Sequence, residues 1–298
     1  MSESPEQHQL EEDLKGQGST EEVSDPEVPD LPQDAEGGSS PPDSRATTPS
    51  SPSAEGFSIV AEECFLLTQA VSVVESLMGY SINDKMTDLM VFLFQKYRKK
   101  EMTTHTEMLQ CVFLDCEESF PEIFRIVSEC MYLVFGIDVK KAKNSSQCYI
   151  IMPALGLSYD GTVEDVPSFP KTTILIIVLG VIFFQGNCAR EEAIWDVLSG
   201  IEVFPGSEHL IYGEPRKFIT EDLVNEHYLE NRLVPNSDPP EYEFLWGPRA
   251  LIETTKLEVL EFLAKVKDTT PSAFTVWYEE ALREEEERFQ LPDLPDWL

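Results

Sequence analysis

Apolar residues recur at three- and four-residue steps along several segments of the chain, which is the spacing of one face of an α-helix. The clearest stripe follows Asn83 and predicts a helix from Asp84 that ends in basic residues, where the helix dipole favours cations. A capping box of Thr104 with Glu107 predicts a second, short helix. A third helix runs to Gly136. The stripes are Met86, Leu89, Met90, Leu93, Phe94 and Tyr97; then Leu109 and Val112; then Phe120, Ile123, Phe124, Val127, Met131, Val134 and Phe135.

Two strand-like segments follow, 137–142 and 147–152, with Asn144-Ser145 at the turn between them. Three helices and a hairpin in this order are typical of a winged helix, a variant of the helix-turn-helix. We therefore assign 84–155 to a winged-helix unit A.

The same order of elements recurs after a connector at 156–170 that is rich in Gly, Asp and Pro. Its first helix contains an apolar run of eleven residues, which is shorter than the roughly 20 that a membrane span needs, so we expect a helix buried on nearly all sides. The predicted elements of this unit B (171–267) are helices at 172–184, 190–198 and about 215–228, strands at 228–234 and 242–246, and a closing helix at 251–267. The predicted fold class is mainly α with small β-hairpins, in two tandem winged-helix units.

The first 55 residues differ from the rest of the chain. They hold fourteen acidic and two basic residues, eight prolines and no aromatic side chain. Such a segment buries too little apolar surface to offset the entropy of ordering it, so we predict a disordered acidic tail at 1–55.

An apolar helix is predicted at 56–83. Its heptad-like stripe consists of Val60, Cys64, Leu67, Val71, Val74 and Met78. Two interpretations stay open: the helix docks on unit A, or it mediates weak self-association through residues 57–78.

The last segment, 268–298, predicts one more helix and an apolar, acidic peptide between prolines, Leu291-Pro-Asp-Leu-Pro-Asp-Trp-Leu298. The apolar face of the helix consists of Phe274, Trp277, Tyr278, Ala281 and Leu282. The peptide either serves as a linear docking segment or packs loosely at the end of the fold.

Charge argues against the nucleic-acid role that winged helices often have. The 298 residues carry 55 acidic and 22 basic side chains, a formal net charge of −33, whereas binding to nucleic acid or anionic membranes needs cationic surface. The only basic wing is Lys140, Lys141 and Lys143, enough to neutralise about three phosphates. We expect no specific nucleic acid and no membrane as partner, and keep a transcriptional cofactor or DNA-associated protein as the alternative.

Catalytic and metal-binding signatures are missing from the sequence. It has no nucleophile elbow, phosphate loop or dinucleotide fingerprint, and its six cysteines and four histidines lack the spacing of a zinc site. We expect no enzyme, no metal and no cofactor. The first twenty residues have no apolar core of a signal peptide, so we expect free thiols and a location in cytoplasm and nucleus.

The block Tyr242-Glu-Phe-Leu-Trp-Gly-Pro-Arg-Ala250 resembles the MAGE (melanoma antigen) family, and further blocks agree in order along the chain. They include Leu133-Val-Phe-Gly-Ile-Asp138, Leu155-Gly-Leu-Ser-Tyr-Asp-Gly161, Tyr212-Gly-Glu-Pro-Arg-Lys217 and Trp277-Tyr-Glu-Glu-Ala-Leu-Arg283. The sequence looks like the short, type I branch. The resemblance implies two tandem winged helices and a non-catalytic regulator of RING-type E3 ubiquitin ligases, which redirects or enhances ubiquitination of substrate proteins.

The resemblance also implies two contact regions. A hydrophobic pair in the first helix of unit A contacts the ligase and maps to Leu93 and Phe94, the second member departing from the usual Leu. Both lie on the predicted buried stripe, so they either touch the ligase or support the contact surface, and Val91 and Phe92 are the surface candidates. The groove between the units takes substrate peptides, with Tyr159, Phe244, Trp246 and Arg249 as candidates, although simple core packing explains Phe244 and Trp246 as well.

Overall fold

The structure is a computed structural model that describes residues 54–113, 117–143, 147–163, 166–235, 237–238 and 240–290, and, within these ranges, no side chains of 54–64, 289 and 290. All of them belong to one contact unit that spans residues 51–298. The predicted acidic tail, apart from its last two residues, and the peptide 291–298 lie outside the described residues.

Unit A has the predicted order of helices. Its elements are α1 Ala54–Met78, α2 Asp84–Arg98, β1 Thr103–Thr104, α3 His105–Val112, α4 Phe120–Phe135, β2 Ile137–Lys141 and β3 Cys148–Pro153. All six apolar residues of the α2 stripe are buried, as predicted. Asn83 caps α2 by accepting a hydrogen bond from the Met86 amide at 3.0 Å, and Gly136 ends α4 in the left-handed conformation.

Unit B repeats the arrangement. Its elements are α5 Thr172–Phe184, β4 Ala189–Arg190, α6 Glu191–Ser199, α7 Pro215–Lys217, α8 Leu223–Asn225, β5 Leu229–Leu233, β6 Tyr242–Trp246, α9 Pro248–Glu253 and α10 Lys256–Val266, followed by α11 Thr275–Gln290. Mainly helical structure with small antiparallel sheets confirms the predicted fold class.

Each unit contains a third strand that the sequence analysis missed. The sheets have the orders β1-β3-β2 and β4-β6-β5, and all their pairs are antiparallel. β1 and β4 have two residues each, too short to show an alternating pattern. Because both sheets place the short strand beside the second strand of the hairpin, the two units share one winged-helix topology.

Helix α5 is buried on nearly all sides, as its composition predicts. Every residue from Thr172 to Phe183 is buried, and only Phe184 is partly exposed. Gly180 allows the close approach of α10, since a Cβ at this position would lie 2.2 Å from Leu263 Cδ1.

Two helices predicted for unit B as single, continuous helices are divided in the structure, so these predictions were wrong in detail. The segment predicted as one helix at 215–228 is α7, a π-helical turn at Phe218–Asp222, and α8. Thr220, which suits the middle of a helix poorly, lies in the π turn and donates to the Arg216 carbonyl oxygen at 2.9 Å.

The closing helix predicted at 251–267 is also two helices, α9 and α10. Thr254 is extended, with φ −144° and ψ 174°, and Thr255 begins α10 with a capping box to Glu258. The Thr-x-x-Glu pattern of this capping box, Thr255 with Glu258, is present in the sequence and would have indicated the helix start.

Helix α1 docks on unit A, the first of the two interpretations. Leu67, Ala70 and Val74 are buried, and α1 packs against α2 and α4. The turn to α2 is held by the Ile82 amide, which donates to the Glu75 carboxylate at 2.7 Å. Phe65 remains 63% exposed, and self-association through this helix stays a prediction.

The two units are joined through buried contacts. The Tyr212 hydroxyl of unit B donates to the Val134 carbonyl oxygen of unit A at 2.7 Å, and Thr173 Oγ1 donates to Leu133 at 3.1 Å. The rings of Tyr132 and Phe262 pack with centroids 4.9 Å apart. The first of these hydrogen bonds is buried and the second is partly buried, so polar as well as aromatic contacts join the two units.

Gly136 provides a stability test of this junction. Its φ is +66°, and a Cβ there would lie 2.5 Å from Thr172 Cβ and 2.7 Å from the Thr173 backbone nitrogen. Gly136→Ala should combine left-handed strain of about 1–2 kcal/mol with overpacking of about 1–3 kcal/mol. Gly79→Ala is the matched control because Gly79 has φ +74° but nothing within 4 Å. Urea unfolding should therefore show a larger loss for Gly136→Ala, and equal losses would contradict the close contact.

Candidate functional site

The α2 candidates divide into core and surface residues. Leu93 has no exposed area, and Phe94 is 6% exposed. The Phe94 ring packs edge-on against Phe135 with centroids 4.9 Å apart and lies 5.4 Å from Phe169. The pair that the resemblance implies therefore lies in the core of unit A.

Phe92 and Val91 lie on the partly exposed side of α2. Lys96 Nζ is 5.7 Å from the centre of the Phe92 ring, within the range of a cation–π contact. Val91 lines a narrow apolar crevice between α1, α2 and the connector, together with Leu66, Leu67, Phe94, Ser168 and Phe169. Of the four candidates, Phe92 is thus the one that is partly exposed, contacts a charged side chain and does not line this crevice.

Lys96 itself is held by acidic neighbours. Its Nζ lies 2.6 Å from Glu107 and 3.1 Å from Glu101. The hydrogen bond to Glu107 raises the pKa of Lys96, and the bond from Lys96 lowers the pKa of Glu107. The ammonium group is therefore fixed next to Phe92 and is charged at neutral pH.

The inter-unit candidates also divide. Phe244 and Trp246 are 2% and 8% exposed, and Trp246 Nε1 donates to the Leu179 carbonyl oxygen of α5 at 2.8 Å. Both residues serve the core of unit B. Tyr159 and Arg249 are brought together, with the guanidinium carbon 5.9 Å from the centre of the Tyr159 ring.

Arg249 is the centre of a polar cluster that joins the connector to α9, and we call this cluster the connector clamp: Ser158, Tyr159, Glu226, Tyr228, Arg249 and Glu253. Arg249 Nε donates to Glu253 at 3.0 Å and Nη2 donates to Ser158 Oγ at 2.9 Å. Nη1 donates to the carboxylate and the carbonyl oxygen of Glu226. Arg249 therefore binds a backbone carbonyl oxygen in the turn after α8 and also pairs with the carboxylates of Glu226 and Glu253.

Tyr228 and Glu253 complete the clamp. The Tyr228 hydroxyl accepts from the amides of Ser158 and Tyr159, at 3.2 Å each, and donates to Glu253. The same carboxylate accepts from the Ser158 amide at 2.9 Å and from the Ser158 hydroxyl. Sequence reasoning missed Ser158, Tyr228 and Glu253, although the spacing of Arg249 and Glu253, four residues apart on a helix, was a usable signal.

The pKa values in the clamp follow from these contacts. Burial alone would raise the pKa of Glu253, but hydrogen bonds from Ser158, Tyr228 and Arg249 outweigh it and lower the pKa to about 2. Burial, followed by the charges of Asp222 and Glu226, raises the pKa of Tyr159 to about 12. Burial also raises the pKa of Tyr228. At neutral pH the Glu253 carboxylate is therefore charged and the Tyr228 phenol is neutral, which is the state that the hydrogen bond from Tyr228 to Glu253 requires.

The other side of the connector is bound to unit A. The Tyr97 hydroxyl donates to Asp160 Oδ2, and Arg98 Nη2 donates to the carbonyl oxygens of Val166 and Ser168 at 2.9 and 3.2 Å. Burial and the nearby Asp160 raise the pKa of Tyr97. The connector is thus fixed to unit A by the Tyr97 hydroxyl and the Arg98 guanidinium group, and to unit B by the connector clamp.

A second concave region lies in unit B, apart from the clamp. It is a cleft of about 390 Å³ between the π turn, α6 and the hairpin, lined by Glu191, Glu214, Arg216, Lys217, Thr220, Glu221, Asn231, Tyr242 and Phe244. Arg216 pairs with Glu191 at 3.1 Å, and Lys217 pairs with Asp222 at 2.8 Å. Its cations are therefore already neutralised by the protein.

Two basic residues on the surfaces that read DNA in other winged helices, Arg125 and Lys140, are paired in the same way. Arg125 on α4 lies 3.3 Å from Glu129, and Lys140 on the wing lies 3.1 Å from Asp138. Within the described residues, no group of His, Cys, Asp and Glu is placed to hold a metal ion. In the same part of the chain, no helix has the length and apolar character needed to cross a membrane.

Comparison with known proteins identifies the family. A family model described as the MAGE homology domain matches residues 89–257. Melanoma-associated antigen 10 of Homo sapiens is 49% identical over 271 residues, which cover 91% of this chain and 73% of that protein. Melanoma-associated antigen B4 of Homo sapiens is 50% identical over 227 residues, which cover 76% of this chain and 65% of that protein.

A solved structure described as the Nse1-Nse3-Nse4 complex contains a chain 32% identical to this one, with 66% of this chain and 96% of that chain covered and a TM-score of 0.36. That TM-score is too low to assign fold or function. Fold and site by themselves define a tandem winged-helix protein with an acidic surface and a clamped connector. With the family model and these relatives, the chain belongs to the MAGE family, which confirms the resemblance seen in its sequence.

The connector clamp makes the stability of the protein depend on pH. Because the folded-state pKa of Glu253 is depressed to about 2, its contribution is full above the unfolded value of 4.5 and is lost as the pH falls toward 2. Glu253→Gln should therefore be less stable than the parent protein at pH 7, and the difference should shrink between about pH 5 and pH 2. Urea unfolding across this range measures it.

The control for this experiment is Glu279→Gln, because Glu279 is exposed on α11 and lies outside the clamp. Its stability difference from the parent protein should be small at every pH. A Glu253→Gln difference that stayed constant from pH 7 to pH 2 would contradict the ionised clamp.

Proposed function

We propose that this protein is a non-catalytic adaptor that binds a RING-type E3 ubiquitin ligase and changes its activity or its choice of substrate protein. The observation that carries the proposal is membership of the MAGE family over residues 89–257, for which the sequence resemblance implies such a role. The partners are then two proteins, a ligase and a substrate.

The surface chemistry supports a protein partner over nucleic acid. Arg125, Lys140 and Arg216, which lie where a winged helix would contact phosphates, are each paired with a carboxylate, and the net charge of the chain is −33. A fold supplies a scaffold, but its surface decides what it binds. The DNA-associated alternative would require Lys140, Lys141 and Lys143 to bind phosphate against this field.

The ligase contact is proposed at α2 around Phe92. A half-buried aromatic ring next to a fixed ammonium group combines apolar area with a charged rim, the composition typical of interaction hot spots. Leu93 and Phe94 act beneath it by fixing the position of α2. Val91 is partly covered by α1, so its contribution is the smaller of the two surface candidates.

The substrate contact is proposed at the connector, beside Tyr159 and Arg249. The clamp holds Tyr159 of the connector against Arg249 of α9, and Tyr159 is only partly buried. Phe244 and Trp246, the other two candidates, support this region from within the core of unit B.

Phe92→Ala tests the proposed ligase contact. We expect the immobilised full chain to retain at least one member of a panel of purified RING-type ligases. The Phe92→Ala variant should bind that ligase about tenfold or more weakly, because a hot-spot residue contributes about 2 kcal/mol or more to the free energy of binding. The unfolding temperature should change little because the ring is partly exposed. Binding is measured by calorimetry and unfolding by circular dichroism.

The matched controls separate contact from support. Leu233→Ala removes an apolar side chain that is 52% exposed on β5, far along the chain, and should leave binding unchanged. Leu93→Ala should weaken binding only together with a loss of about 2–5 kcal/mol in stability, from the cavity it creates. The assignment fails if Phe92→Ala binds as the parent does, and the adaptor proposal fails if no ligase in the panel binds or responds.

A further inference from the structure

Helix α9 has an apolar face that the described residues leave uncovered. Pro248, Leu251 and Ile252 are spaced three and four residues apart and so lie on one side of the helix. This side is turned by about a third of a turn from the side of Arg249 and Glu253, which belong to the connector clamp. All three residues are exposed. Leu251 is 53% exposed and Ile252 is 77% exposed, and the value for Ile252 is the largest among the large apolar residues that the structure describes. We call these three residues the α9 apolar face.

The last described helix ends beside this face. Arg288, in the final turns of α11, donates from its guanidinium group to the carbonyl oxygens of Leu251 and Thr254, at 3.3 Å each. Residue 291 therefore follows a helix end that is fixed against the C-terminal end of α9.

The sequence that follows has the pattern of an apolar ligand. Residues 291–298 read Leu-Pro-Asp-Leu-Pro-Asp-Trp-Leu, a three-residue repeat. Proline disfavours helix in the residue before it and favours polyproline II, which has three residues per turn. In that conformation Leu291, Leu294 and Trp297 share one edge, and Asp293 and Asp296 share another.

We propose that residues 291–298 bind in cis to the α9 apolar face, with the edge of Leu291, Leu294 and Trp297 against Leu251 and Ile252 and the two aspartates toward water. Eight residues in polyproline II reach about 25 Å at about 3.1 Å each, and α9 is about 9 Å long, so the segment is long enough. A segment tethered this closely meets the face at an effective concentration of about millimolar, which favours it over a free partner.

The test uses the full chain labelled with 5-fluorotryptophan. The protein has four tryptophans, Trp195, Trp246, Trp277 and Trp297, so the fluorine spectrum has four signals, and Trp297→Phe assigns the one of interest. We expect the Trp297 signal to lie away from its position in the synthetic peptide 291–298. It should not change on tenfold dilution of the protein, because the contact is within one chain.

The double substitution Leu251→Ser with Ile252→Ser should move the Trp297 signal to the peptide position. Leu294→Asp, which leaves α9 untouched, should have the same effect. Leu233→Ser is the matched control, since it removes an equally exposed leucine on β5 and should leave the signal in place. Unchanged signals of the other three tryptophans will show that each variant is folded.

Three results would overturn the proposal. The Trp297 signal of the parent chain already at the peptide position would show that the segment does not bind there. A signal that moves on dilution would show that the occupant is a second copy. A signal that the α9 substitutions leave unchanged would place the segment elsewhere.

Discussion

The burial of helix α5 on nearly all sides is the constraint on which the rest of the structure depends. A helix with twelve consecutive buried residues needs neighbours around its whole circumference, and one winged-helix unit cannot supply them. Unit A covers its N-terminal end, where Gly136 approaches Thr172 and Thr173 donates to Leu133. Unit B covers its later turns through Trp246 and α10. The two units are therefore fused through one element that both of them pack against.

The connector clamp follows from that fusion. Once α5 fixes the two units, the connector passes over α9 with Ser158 exposed and Tyr159 partly buried, and the backbone amides of both residues find side-chain partners in unit B. Tyr228 and Glu253 accept the amides of Ser158 and Tyr159, and Arg249 balances the charge of Glu253. A polar cluster of this kind adds little net stability compared with the apolar core, but it sets one position of Tyr159 relative to α9. The candidate substrate surface is therefore preorganised.

Local patterns predicted much of the fold, because periodicity and capping act within a few residues. The α2 stripe, the α4 stop at Gly136 and the buried α5 could all be read from spacing alone. The two-residue strands β1 and β4 could not, since their positions depend on pairing with β3 and β6 far along the chain. The clamp was missed for the same reason: Ser158 and Glu253 are 95 residues apart, and no local signal links them. Phe92 and Phe94 are the same residue type on the same helix, but they point in different directions around its axis. The spacing of the α2 stripe alone therefore predicts that Phe94 is buried and Phe92 is more exposed.

The acidic surface needs an explanation that goes beyond the individual ion pairs. Each exposed pair, such as Arg125 with Glu129, is worth at most about 1 kcal/mol, so a phosphate could in principle displace the carboxylate. What opposes nucleic acid is the sum of many uncompensated carboxylates, a field screened only beyond about 10 Å at 0.1 M salt. Residues 1–55 supply fourteen of the 55 acidic side chains, so most of that field belongs to the rest of the chain. The same field leaves apolar surfaces, including Phe92 and the α9 apolar face, as the places where another peptide chain can bind without an electrostatic cost.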